Sequence, residues 1–244
     1  MYNINIANTR NRRLVSQKGN ISIFEYNREV VSDLDKAESI YYASQTETRK
    51  RQASFGVDQY NSVIGRAGAL QWSAGQIQIA SNYSEISDYA KQMLGDADAA
   101  RSAAKHLYQG NGLIMFDATY NNLIIEDVGM WNGMVINDKN FYACNATVGV
   151  STIARKGADS RVMEGVFDTC LVGSGLVVIQ SQYPREELIE VMLNNDELKV
   201  DGDYVVARSQ SLSYTVERAT NAPEDAERFV NVYRGVGKVL LAPL

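Results

Sequence analysis

Histidine is almost missing from this chain: His106 stands alone among 244 residues. A two-histidine zinc site, an H-E-x-x-H helix and a 2-His-1-carboxylate iron centre are therefore beyond one copy of the chain. A serine or cysteine nucleophile in need of an imidazole base would have only His106 to use. The nucleophile elbow G-x-S-x-G is lacking as well, since Val172-Gly173-Ser174-Gly175 is too short to match. Cysteine is restricted to Cys144 and Cys170, neither of them in a C-x-x-C pair. Both sit among apolar or β-forming neighbours, where a free thiol behaves as a small buried hydrophobe. A redox role would require the two to meet at disulfide distance.

Long apolar runs are also missing. The longest, such as Leu176–Ile179, are strand-sized, far short of the roughly 18–20 residues of a membrane-spanning helix. Positive charge is in deficit, with 24 Lys and Arg against 29 Asp and Glu and a net charge of −5. That balance opposes general attraction to phosphate backbones or anionic lipids and leaves no strong nucleic-acid signal. The acidic residues always offer pairs for carboxylate hydrolysis, but none is singled out by its surroundings. Glu126-Asp127 and Glu186-Glu187 read as turn or solvated-face residues. Arg10, Arg12, Arg13 and Lys18 make a basic, acid-free start without a following apolar core, so a secretory signal is not expected. The same start shares the charge of an organelle transit peptide, but Asn and Ile residues interrupt any cationic amphipathic helix. The expected location is the cytoplasm. Residues 1–20 read as an N-terminal arm and 21–244 as a single all-β domain.

What is present is a recurring glycine pattern. Gly110-Asn111-Gly112, Gly173-Ser174-Gly175 and Gly235-Val236-Gly237 each precede an apolar stretch, at intervals of 63 residues (110 to 173) and 62 (173 to 235). Val135–Ala143 and Lys199–Ala207 correspond at nearly the same interval, with turns expected at Asn137-Asp138 and Asp201-Gly202. Two landmarks at one period predict a duplicated β-unit containing hairpins. Glycine pairs followed by a strand do not suit dinucleotide binding, which needs a helix there. Gly110, Gly112, Gly173, Gly175, Gly235 and Gly237 are expected to be structural, providing sharp entry into twisted strands.

Leu212–Val216 alternates as a half-buried strand should, whereas Leu176–Ile179 is apolar throughout and predicts a strand covered on both faces. Gly68–Ile79 reads as strand, turn, strand. A short helical excursion is predicted near 84–108: Ile86, Tyr89, Ala90, Met93 and Leu94 follow helical spacing, Gly95 interrupts, and Ala97–Leu107 suits a second helix carrying His106. Glu29–Ser39 has weaker helical periodicity and could equally be a turn. The main electrostatic feature is Arg49-Lys50-Arg51, with alternation placing Arg49 and Arg51 on one strand face and Lys50 on the other. Such a patch could touch an anion or RNA, or protect an edge strand from aggregation; the second reading is preferred. Tyr41-Tyr42, Tyr60 and Tyr83 could line an interface or occupy sheet margins.

Five strings in order, Ala67-Gly68-Ala69-Leu70-Gln71-Trp72, Glu164-Gly165-Val166-Phe167, Gly173-Ser174-Gly175, Val200-Asp201-Gly202 and Asn231–Val239, resemble the AIM24 family from about Ile21 to the end. The resemblance implies a fold like that of the tryptophan-attenuation-protein (TRAP) superfamily, a short variant of the double-stranded β-helix. It supplies no catalytic residue and no cofactor. The family's mitochondrial member is associated with inner-membrane organisation, a role not carried over because this sequence has no convincing presequence. The expected function is noncatalytic: a scaffold or interaction protein that forms a homo-oligomer or binds a protein partner. The alternative is a small-molecule or nucleic-acid-binding module using a cleft between repeats.

Overall fold

Successive side chains of a strand point to opposite faces, so a segment apolar at every position must be covered on both. The computed structural model meets that requirement with two sheets. It describes residues 4, 6, 9–28, 36–46, 48–80, 85–86, 104–154, 167–218 and 229–243.

In chain order the strands begin with β1 (Arg12–Lys18) and β2 (Ile21–Tyr26), followed by helix α1 (Ala37–Gln45). Next come β3 (Arg51–Val57), β4 (Val63–Arg66), β5 (Leu70–Ala80), β6 (Glu85–Ile86), β7 (Lys105–Phe116) and β8 (Asn122–Asp127). The middle of the chain forms β9 (Met134–Asn137), β10 (Phe141–Asn145), β11 (Val148–Ala154), β12 (Phe167–Gly173) and β13 (Leu176–Ser181). The last four are β14 (Ile189–Val200), β15 (Val205–Ser209), β16 (Ser213–Arg218) and β17 (Phe229–Leu241). Among the described residues one sheet runs β1-β2-β3-β7-β4-β10-β13-β8, with β5 also on β7. The other runs β14-β17-β15-β9-β12-β11-β6, with β16 also on β17. The fold is all-β with one short helix.

Val177 and Ile179 of β13 enter the core between the sheets with Ile64, Cys144, Ile136, Leu171 and Leu240. Val178 between them points the other way, into a second core made entirely from the first sheet, with Phe55, Tyr108, Phe116 and Tyr142. All three are fully buried, as the sequence requires. Phe116 organises the second core through edge-on contacts with Phe55 at 5.4 Å, Tyr108 at 5.5 Å and Tyr142 at 5.7 Å, the geometry aromatic quadrupoles favour.

Of the three glycine pairs only Gly173 and Gly175 stand directly before a strand, β13. Gly110 and Gly112 lie inside β7, and Gly235 and Gly237 inside β17, while Gly173 and Gly175 flank the turn that carries the chain from β12 in one sheet to β13 in the other. Two of the three pairs are nonetheless alike. β7 pairs along its length with β5 on one side, and on the other is shared by β3 (at Gly112–Met115) and β4 (at Lys105–Tyr108). β17 pairs along Asn231–Leu241 with β14, and is shared on its other side by β16 (to Arg234) and β15 (from Val239). Each long strand changes partner at its glycines, and Gly110 and Gly235 have φ of 127 and 126° there.

Other expectations need correction. The Asn137-Asp138 turn is not a hairpin, because β9 and β10 belong to different sheets. β14 and β15 likewise pair with β17 rather than with each other. Gly68–Ile79 is no strand-turn-strand; β5 continues through Gly75, whose φ of 96° does not end it. Lys105–Leu107 is strand, not helix, because pairing with both β4 and β5 overrides its alanine-rich local propensity. Glu85–Ile86 pairs in parallel with β11; the rest of the predicted excursion, 84 and 87–103, lies outside the described residues. Of Glu29–Ser39, read as either a helix or a turn, 29–35 lie outside the described residues, and α1, Ala37–Gln45, shares only 37–39 with it. The segment read as an arm joins the sheet: β1 pairs with β2 from Arg12↔Tyr26 to Lys18↔Ile21, turning at Gly19-Asn20.

Candidate functional site

A polar seam joins the sheets in the interior. Lys105, its side chain 2% exposed, donates from Nζ to Asp138 Oδ1 at 2.8 Å. Thr169 donates to the same carboxylate oxygen, and Lys105 also reaches Thr152 Oγ1 at 3.4 Å. The ammonium lies 5.1 Å from the centre of the Phe141 ring. Asp138 is held at the start of a 3-10 turn (Asp138–Asn140) that Asn137 caps by accepting from the Lys139 N–H at 3.1 Å. Arg66 donates to the carbonyls of Asp138 at 3.2 Å and Lys139 at 2.7 Å. The seam thus draws on β4, β7, β11 and β12, and within it Lys105 and Asp138 neutralise each other. That arrangement suits a clamp between layers. Sequence reading missed it, for a lysine between alanine and histidine carries no local sign of burial.

Beside the seam lies an open cleft of about 390 Å³, lined by Asn137, Lys139 and Asn140 from one turn and Gly202, Asp203 and Tyr204 from the other, with Tyr183. Lys139 Nζ and Asp203 Oδ2 span it at 3.9 Å. These are the two turns whose sequences correspond.

The basic triplet is divided. β3 begins at Arg51, so strand alternation does not reach Arg49 or Lys50, and β3 lies between β2 and β7 rather than at an edge. Arg51 turns to Glu25, which is 5% exposed, and pairs with it at 2.7 Å, while Arg13 takes the other oxygen at 2.7 Å. Lys50 sits over Tyr120, 4.9 Å from its ring centre, and Arg49 donates to Asn27 Oδ1 at 3.2 Å. Arg49 and Lys50 line a groove of about 330 Å³ against α1. The expected role in edge protection is overturned by the strand's position. Tyr41, Tyr42 and Tyr60 are well exposed; Tyr83 lies outside the described residues. Glu126 accepts from Arg185 and Trp131, and Asp127 caps the turn that follows.

His106 belongs to β7 and is half-buried, its ring 6.5 Å from Tyr108. Cys144 and Cys170 are free and buried. Cys144 enters the inter-sheet core from the first sheet. On β12 it is Leu171 that enters that core, so its neighbour Cys170 faces away. The two thiols do not meet. Burial raises the pKa of both, opposed by Lys105 at Cys144 and by Arg208 at Cys170. Burial also raises the Tyr142 hydroxyl, and moves Tyr108 up to about 12.

The folded chain therefore keeps these protons to higher pH than the unfolded chain does. The stabilisation is complete below the ordinary thiol value of 9.0 and erodes as pH rises above it. Melting temperature is expected to fall between pH 9 and about 11, less steeply in Cys144→Ala. A level profile across that range in the parent protein would contradict the burial of these groups.

Among the described residues no three His, Cys, Asp or Glu side chains are grouped to hold a metal, and no helix is long and apolar enough to cross a membrane. The fold and its polar seam define a two-sheet, all-β protein whose layers are bound by a buried ion pair. The model of the AIM24 family, described as mitochondrial biogenesis AIM24, matches residues 43–244, and the chain belongs to this family. The X-ray crystal structure of protein SPYM3_0169 from Streptococcus pyogenes is similar in fold. Its TM-score is 0.57 at 15% identity, covering 96% of this chain and 94% of that one. No curated protein matches the chain.

Proposed function

We propose that this chain is a noncatalytic scaffold or interaction protein of the cytoplasm that self-associates through β surfaces, on a TRAP-like core in which one β-unit occurs twice. The observation that carries this reading is the pair of long outer strands. Among the described residues β5 and β14 each pair with a single neighbour, β7 and β17, leaving one row of backbone donors and acceptors without a strand partner there. The matching partner change of β7 and β17 at their glycine pairs supports the duplication. Size-exclusion chromatography with light scattering at micromolar concentration is expected to give a mass above the 27.0 kDa of one chain. A strict monomer would remove self-association from the proposal.

A second reading, a small-molecule or nucleic-acid-binding module, is favoured by the cleft between the two corresponding turns. Native mass spectrometry of protein purified from its own host distinguishes the readings. A stoichiometric metabolite lost on Asp203→Ala would promote the module, and an empty chain would leave the scaffold.

A further inference from the structure

Sheet edges invite pairing with another chain, and proteins ordinarily protect them with charge, proline, bulges or brevity. Most outer strands here do so. β1 carries Arg12, Arg13 and Lys18; β8 carries Glu126 and Asp127; β16 carries Glu217 and Arg218. β6 has two residues. β14 carries Glu190, Asp196, Glu197 and Lys199, and is broken near its midpoint by a bulge at Asn194/Asp196, where Asn195 has a φ of 59°.

β5 has none of the chemical protections. Its eleven residues, Leu70-Gln71-Trp72-Ser73-Ala74-Gly75-Gln76-Ile77-Gln78-Ile79-Ala80, include no charged side chain and no proline. Its only bulge lies at the first step, and from Trp72 to Ala80 its register with β7 is unbroken. Gln71, Ser73, Gln76 and Gln78 are exposed, and Ile79 is 51% exposed.

We infer that β5 is the edge through which two copies of this chain join, antiparallel about a two-fold axis at Gln76, one residue from its midpoint. This rests on the self-association proposed above and names the surface responsible. The composition of β5 selects a second copy as the occupant. A two-fold axis sets the residue on it beside its own symmetry mate and every other residue opposite the one equally far on the other side, so an edge suited to itself must keep like charges out of these pairings. At the middle of β14 such pairing would gather Asp196 and Glu197 from both copies, and on β1 it would set Arg12 and Arg13 against Lys18. At the middle of β5 stand Ala74, Gly75 and Gln76. A glutamine amide both donates and accepts, so glutamines meeting across the axis satisfy one another, whereas a charged peptide would find no counter-charge along the strand. The contact is the same surface on both partners and closes at two copies. One strand pair is a small interface, so the affinity expected is modest.

Sedimentation velocity on the full chain, from about 1 to 100 µM, tests the inference. The parent protein is expected to approach twice the mass of one chain at the upper end. Gln76→Lys and Gln76→Glu should each weaken the dimer at least tenfold, and mixing the two should restore it as a heterodimer, while Met192→Lys on β14 leaves it unchanged. Melting curves identify any variant that fails to fold, and the mixing result does not depend on either variant alone. A dimer indifferent to both Gln76 variants overturns the assignment to β5 while self-association stands. Loss of a larger assembly on Met192→Lys as well as on Gln76→Lys would show head-to-tail pairing of β5 with β14, and would overturn the two-fold contact. A monomer throughout the range overturns both this inference and the self-association.

Discussion

Lys105→Ala is expected to destabilise the protein by about 3–5 kcal/mol, because removing one partner of a buried pair leaves the other charge unbalanced. The lower part of that range is expected, since the Asp138 side chain retains 15% exposure and would keep the Thr169 hydroxyl as a donor. Lys105 also contributes its stem to the interior and its ammonium to the face of Phe141. Asp138→Asn should cost less than Lys105→Ala: the amide oxygen can still accept from both neighbours, and only the charge is lost. Equilibrium urea unfolding of the three proteins measures the difference. A loss below about 1 kcal/mol for Lys105→Ala would mean that the seam is wet and the clamp does not hold the sheets together.

Gly112→Ala and Gly110→Ala are expected to be at least as severe, at about 4 kcal/mol or more, or to abolish folding. A methyl group on Gly112 would lie 2.1 Å from the Ala74 carbonyl oxygen, and one on Gly110 would lie 2.0 Å from that of Gln76. Both obstacles are backbone atoms of the paired strand β5 and cannot rotate away. Gly235→Ala is the control. It shares the φ of Gly110, but its added methyl meets nothing closer than 3.6 Å, so only backbone strain of roughly 1–3 kcal/mol applies. Soluble yield and denaturant midpoints should rank Gly235→Ala well above the other two. Equal losses at Gly110 and Gly235, which share a φ, would show that strain, not the close approach of the β5 backbone, sets the requirement for glycine at Gly110.

These substitutions also mark how far local pattern reaches. Strand character at Leu176–Ile179 and its burial on both faces were legible because alternation is a property of the chain alone. The same logic failed at Lys105–Leu107, where alanine-rich neighbours favour helix locally and two flanking strands impose extension. The even spacing grouped Gly173 and Gly175 with pairs that do a different job. One pair turns the chain between sheets, while the other two let a long strand exchange partners. Spacing records position along the chain, and partner exchange is a relation between strands.

The basic triplet shows the same limit. Arg49, Lys50 and Arg51 are adjacent, yet Arg51 is committed to a buried Glu25 that lies 26 residues earlier and opposite it in register. Nothing local distinguishes a committed charge from a free one. Lys105, Asp138 and Thr169, which meet in the interior, were not anticipated for the same reason.

By itself the sequence determined the class of fold, the family and the shortage of histidine, because residue counts, period-two alternation and ordered motifs survive without coordinates. Tertiary structure alone decided which strands lie at edges among the described residues, which charges are neutralised inside, and that the uncharged β5 has a single strand neighbour there. Edge and interior are defined by what packs alongside, and those neighbours are brought together from distant parts of the chain only when it folds.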